Sequence, residues 1–431
     1  MRKLYTQVFI FSSLAVFSLL FHACRNDLDE LTPGAGSLTF SQFITLGDEY
    51  VAGYANWGLY AFSQENSFPN LLSQQFRLVK EISFRQPVLP ENGTGFQELS
   101  SLSASICPEK ASIPSFRFST PAAGWESNIS TQGPFHNLGI PQLPLAQLND
   151  TSLSEQNPFF SRISQTTDRS YLQEVQRLDA DLCITWLGSQ ALLDFVSQDG
   201  LEIEEGISPQ DFRTTYKTLL DSILTHTSAN VLVADIPPIL SFPYFNSVPA
   251  TFFPEDDCQS RGLPIYITTL SETGEEVSRV ATIRDHILLP ALNEIGTFQN
   301  GVRMGLDFQL PLPDRWVMDE EEANILQERL SAYNDAISNM VSEVNADFQR
   351  QRVYQVPLQS AFSELERGTT EDGIELNNQY INGGVFSLDG LYFTPRGNAF
   401  AANIFIEYMN ATFSASIPLI SLADYPAVFF P

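Results

Sequence analysis

The sequence predicts an α/β fold, a parallel β-sheet with helices on both faces, and two observations predict it. Short apolar runs that stop at glycine, aspartate or proline recur along the chain: 40–46 before Gly47-Asp48, 181–187 before Gly188, and 230–236 before Pro237. Between them lie longer segments whose apolar residues repeat at helical spacing. Strands buried on both faces read as continuous apolar runs, and each parallel crossover needs a dozen or more residues, usually a helix. The 431 residues are 43% hydrophobic and 12% aromatic, enough for a sizeable core.

The first expected strand, 40–46, leads into Gly47-Asp48-Glu49 and so delivers Glu49 to the carboxyl edge of the sheet. That edge is where open α/β proteins place their sites. A helix is expected to run to about Phe76, with a second strand over 77–84. Residues 85–135 carry many Pro, Gly and Ser without a clear period and are expected as a long covering loop. Residues 181–188 form the next strand-to-turn edge. In 211–226, Phe212, Tyr216, Leu219, Leu220, Ile223 and Leu224 fall at helical spacing, ahead of a strand at 230–237. Residues 242–315 interrupt the alternation, with 265–270 and 277–282 expected as a hairpin. An amphipathic helix over 320–345, a short strand at 352–356 and a closing helix over 397–410 complete the pattern. There is no internal repeat, so residues 40–431 are expected as one domain with insertions at 85–135 and 242–315.

The N-terminus is expected to stand apart. Arg2 and Lys3 precede an apolar run, 8–20, too short to span a membrane stably, and Leu20-Phe21-His22-Ala23 leads to Cys24. This reads as a lipoprotein signal peptide over 1–23, with lipid on Cys24 and a flexible polar tether over 24–39. Its removal takes away two basic residues and no acid, so 23 Lys and Arg become 21 against 51 Asp and Glu, and the net charge of −28 becomes −30. A field of that sign repels phosphate backbones and argues against nucleic-acid binding. The lipid on Cys24 is then the expected membrane attachment, in the cell envelope. Cys183 reads as a buried thiol, while Cys107 and Cys258 are placed where they could pair in an oxidising compartment. No Cys or His spacing points to a metal, and no cofactor motif is present.

Four blocks in order resemble the SGNH/GDSL family of esterases and lipases, most closely its lipid-anchored members from Bacteroidetes-type bacteria. They are Gly47-Asp48-Glu49-Tyr50 with its continuation to Leu72, Gly133 to Pro141, Trp186-Leu187-Gly188-Ser189-Gln190-Ala191, and Ser387-Leu388-Asp389-Gly390-Leu391-Tyr392. The resemblance implies a three-layer, flavodoxin-like sheet. It also implies a nucleophilic serine after the first Gly-Asp, oxyanion donors from a glycine and an asparagine, and an Asp and His three residues apart. In this chain those positions hold Glu49, Gly139, Gln190, Asp389 and Tyr392.

The chemistry of the replacements is unfavourable to ester hydrolysis. Acyl transfer of this type needs a hydroxyl activated by a base with a pKa near 7. Glu49 is a weak nucleophile toward esters, and a tyrosine, ordinarily titrating near 10, is no base at neutral pH. Losing one member of such a triad already removes most of the rate. A fixed polar cluster is expected instead, with Glu49 hydrogen-bonded to Tyr392 and Gln190 as a further donor.

Two enzymatic alternatives stay open on the sequence: a rewired triad of His136, Ser189 and Asp389, and a carboxylate pair joining Glu49 to Asp389, Asp48 or Asp194 for glycosidic chemistry. The expected reading is a catalytically inactive envelope lipoprotein that keeps a cleft for binding or structural use, with Asp48, His136 and Ser189 near it. Phe116, Phe118, Trp125, Phe242, Tyr244, Phe245, Phe252 and Phe253 of the insertions either face a small apolar or carbohydrate ligand or pack among themselves.

Overall fold

The computed structural model describes residues 32–103, 113–197, 207–252, 262–271 and 274–429. Cys24, Cys107, Cys258 and Phe253 lie outside them, as does the expected signal peptide. Five strands, β1 (Phe43–Gly47), β2 (Asn137–Gly139), β3 (Leu182–Trp186), β4 (Asn230–Ala234) and β5 (Val353–Val356), form one sheet in the order β5-β4-β3-β1-β2. Every pairing in it is parallel. β1 and β3 are buried along their whole length, which explains why their sequences run apolar without alternation. The strand order reverses beside β1, so the crevice beyond the carboxyl ends of β1 and β3 is the natural place for a site.

Helices α1 (Glu49–Ala52), α2 (Phe68–Val79), α3 (Ser189–Ser197), α4 (Pro209–His226), α5 (Glu320–Asp347) and α6 (Pro395–Phe413) flank the sheet. Their starts are written in the sequence. Ser208 accepts from Asp211 N and Thr394 from Gly397 N, each followed by proline at the first helical position. Asp319 and Glu322 form a reciprocal capping box at α5. The apolar faces then pair: Phe212 of α4 stacks on Tyr333 of α5 at 4.2 Å, and Phe68 of α2 on Phe405 of α6 at 5.3 Å. Among the described residues no helix is long and apolar enough to cross a membrane.

Several local expectations need correction. Residues 77–84 are not a strand: helical packing of Leu71, Leu72 and Phe76 carries α2 on to Val79, and only Ser83 bridges to Gln42. The single helix expected to end near Phe76 is three helices, because Gly53 turns left-handed at φ 84° and Asn56 and Trp57 follow at φ 55° and 60°. Residues 85–135 are not merely a loop, since Gln97–Ser103 pairs antiparallel with Ile113–Phe118. Residues 34–38, expected within a flexible tether, pack on the domain instead: Gly34 pairs with Ser416, Ser37 N donates to Phe413 O, and Leu38 is buried. Backbone pairing to the end of α6 outweighs the turn-forming composition there.

The hairpin in the second insertion forms as Tyr266–Leu270 with Glu276–Val280. Ile265, Ile267, Ile287, Ala291 and Leu312 build a separate small core there, and Phe252 packs against it. Phe242 and Phe245 belong to the main core instead, with Phe242 4.6 Å from Phe386. Tyr244 and Trp125 pack on the main core, Phe116 joins a cluster with Leu99, Ile381 and Leu388, and Phe118 is exposed.

Candidate functional site

At the carboxyl edge Gly47 stands level with Trp186 on one side and Gly139 on the other. Both glycines are required by close approach. A Cβ on Gly47 would lie 2.4 Å from Trp186 O, and one on Gly139 would lie 2.2 Å from Ala52 N. α1 is thereby pressed onto the strand ends. Asp48 caps it, with Oδ1 accepting from Tyr50 N at 3.3 Å and Oδ2 from Gln190 N at 3.3 Å. One buried carboxylate therefore ties the starts of α1 and α3 together, where negative charge is favoured.

Glu49, the first residue of α1, is 3% exposed, and its Oε1 accepts from Gln142 N at 2.7 Å. The hydroxyl of Tyr392 donates to Gln190 Oε1 at 3.1 Å. The carboxamide oxygen of Gln190 is thus the acceptor for Tyr392. The Tyr392 ring lies between Tyr50 and Tyr54, at 5.1 Å from each. Burial is the main cause that holds its hydroxyl well above the ordinary tyrosine range, and the charges of Glu49, Asp389 and Asp48 add to it. The Tyr392 hydroxyl is therefore kept protonated.

Asp389 is fully buried and accepts four hydrogen bonds. Oδ1 receives Leu391 N and Tyr392 N, each at 2.8 Å, and Oδ2 receives Ser387 Oγ at 2.7 Å and Trp57 N at 3.2 Å. Burial raises its pKa, and these four donors pull it back. The side chain turns its loop and clamps the Ala55–Gly58 turn, whose two central residues take the left-handed conformation of tight hairpins. Asn56 completes the clamp: its N–H donates to Ser387 Oγ at 3.0 Å and its Oδ1 accepts from Leu388 N at 2.9 Å.

The remaining candidates are held by other partners. Gly139 N donates to Asn137 Oδ1 at 2.9 Å. Ser189 is fully buried, and its Oγ accepts from Trp186 Nε1 at 3.0 Å. His136 precedes β2, and its Nδ1 accepts from Arg85 N at 3.0 Å. Burial lowers the pKa of His136, with Arg85 adding to the effect. Glu49, Gln190, Asp389, Tyr392 and Asp48 come together, whereas His136, Ser189 and Asp389 are each bonded elsewhere. The side chain of Asp194 lies outside the described residues. Cys183 is a free buried thiol, and among the described residues no three His, Cys, Asp or Glu form a metal site.

Sequence reasoning missed Gln142, Ser387 and the Asn56-Trp57 pair. Asn56 followed within two residues by Gly58 was the available signal, since asparagine tolerates positive φ. Gln142, at φ 57°, carries no such signal. No protein-family model and no curated protein matches the chain.

Proposed function

We propose that this chain is an extracytoplasmic lipoprotein with the SGNH/GDSL fold that has lost hydrolase chemistry and serves as a binding or structural component of the envelope. The observation that carries the reading is the Tyr392–Gln190 hydrogen bond. It joins the base position to the oxyanion position and leaves a protonated phenol where a general base would act. The strand order, Glu49 in the nucleophile position and Asp389 three residues before Tyr392 support it. The four donors on Asp389 give that carboxylate a structural task independent of catalysis.

The purified mature protein is expected to show no turnover of short-chain p-nitrophenyl esters, and Glu49→Ser combined with Tyr392→His to restore some. Turnover in the unaltered protein that is abolished by Glu49→Gln or Ser189→Ala would instead establish a hydrolase with non-standard residues. Membrane attachment is a separate expectation. Palmitate labelling that disappears with Cys24→Ser, together with signal-peptide cleavage that stalls under globomycin, supports a lipoprotein anchored at Cys24, and labelling that survives Cys24→Ser removes it.

A further inference from the structure

A cavity of about 510 Å³ borders Ser387 and Leu388 and is lined further by the 97–99 strand segment, by residues among 55–66 and by residues 427–429. Its size falls within the span of small-ligand sites, roughly 300–1,000 Å³. The walls mix flat aromatic surface with carboxamides. Tyr60 and Phe96 stack at 3.8 Å to form one wall, and Phe62 and Phe429, 5.7 Å apart, form another. Phe429 is 62% exposed, so this second wall is open to solvent on one side.

The carboxamides present acceptors. Gln97 is only 9% exposed, and its Oε1 has no hydrogen-bond donor. Such a buried acceptor is costly unless a donor reaches it. Asn66 spends its Nδ2 on Phe62 O at 2.8 Å and Asn92 its Nδ2 on Thr120 O at 3.2 Å. Among the described residues no donor is paired with the Oδ1 of either. At the rim Glu91 and Glu98 set a negative charge, with Arg117 engaged by Glu98 at 2.8 Å.

We infer that this cavity binds a neutral saccharide of about two rings. Sugar rings present apolar C–H faces that lie against aromatic planes, and hydroxyl groups that donate to carboxamide oxygens. An alkyl chain would strand the Gln97 and Asn acceptors, and an anion meets the field of Glu91 and Glu98 within a chain of formal charge −28. The cavity borders Ser387 but does not include Glu49, Gln190 or Tyr392, so the inference stands apart from the loss of hydrolase chemistry.

The test is saturation-transfer NMR followed by calorimetry on the whole mature chain. Maltose, cellobiose, xylobiose and N,N′-diacetylchitobiose serve as neutral probes, a sulfated disaccharide as the anionic probe and decanoate as the apolar one. At least one neutral disaccharide is expected to bind with a Kd below about 1 mM. Gln97→Leu, which replaces the orphaned amide by an apolar isostere, and Phe429→Ala are each expected to weaken binding by about tenfold or more. Gln97→Leu is also expected to keep or raise the melting temperature, which separates lost binding from lost folding. Three results would overturn the inference: no neutral disaccharide binding at about 10 mM, binding that survives both substitutions, or preference for decanoate or the sulfated probe.

Discussion

Two polar regions share the 387–389 loop, and they are built in opposite ways. On the Tyr392 side Asp389 receives four donors, Asp48 ties two helix starts, and Tyr392 and Gln190 bond to each other. On the other side the carboxamide of Gln97 holds an acceptor with no donor beside an open cavity. The first arrangement uses its polar groups on itself and becomes a rigid part of the architecture. The second leaves groups for something else to satisfy. A buried polar residue is thus no indicator of chemistry until its partners are counted.

Removing the most heavily bonded group on the Tyr392 side should have the largest effect. Asp389→Ala leaves two backbone N–H groups of its own loop, Trp57 N and the Ser387 hydroxyl without their acceptor, and is expected to cost at least about 3 kcal/mol in urea unfolding. A loss below about 1 kcal/mol would mean that the four bonds do not hold the Ala55–Gly58 turn in place.

A buried acid with a single backbone donor among its described hydrogen bonds sharpens the contrast. Glu322 is 8% exposed, accepts from Asp319 N at 2.8 Å, and its pKa is pushed up to about 8, first by burial and then by Asp314, Asp319 and Glu321. A raised carboxyl binds its proton more tightly in the folded state. Stability from this group is therefore complete below the unfolded value near 4.5 and is lost as pH rises toward about 8. Glu322→Gln keeps an acceptor for the capping box without the charge. It is expected to match the parent at about pH 5 and exceed it by about 1–2 kcal/mol at about pH 8.5 in denaturant titrations. Parallel curves for the two proteins across that range would remove the effect.

The smallest change concerns the Tyr392–Gln190 bond. Tyr392→Phe removes one hydroxyl while keeping the ring between Tyr50 and Tyr54, and is expected to cost about 1 kcal/mol. A much larger loss would mark the Tyr392–Gln190 bond as part of the clamp that Asp389 forms.

Much of the framework was legible because it depends on local pattern. The unbroken apolar runs at 43–47, 182–186 and 230–234 became the central strands, since burial on both faces demands such runs. Ser208-Pro209, Asp319 with Glu322 and Thr394-Pro395 marked helix starts through the chemistry of their own first turns. β2 escaped notice because three residues are too few for a pattern, and its place comes from pairing with β1. The break at 53–57 escaped because one glycine and one asparagine inside an apolar segment do not outweigh its helical spacing.

The sequence by itself determined the central buried strands, the starts of the long helices, the acidic charge and the presence of Glu49 after Gly47-Asp48 and of Tyr392 three residues after Asp389. Those properties reside in residue type and short-range spacing. Only the tertiary structure decided that Asp389 clamps the Asn56-Trp57 turn 332 positions away, that Gln190 accepts from Tyr392, and that Gln97 is left without a donor. Hydrogen-bond partners at such separations are fixed by how the sheet edge and its insertions pack, and no local pattern carries that information.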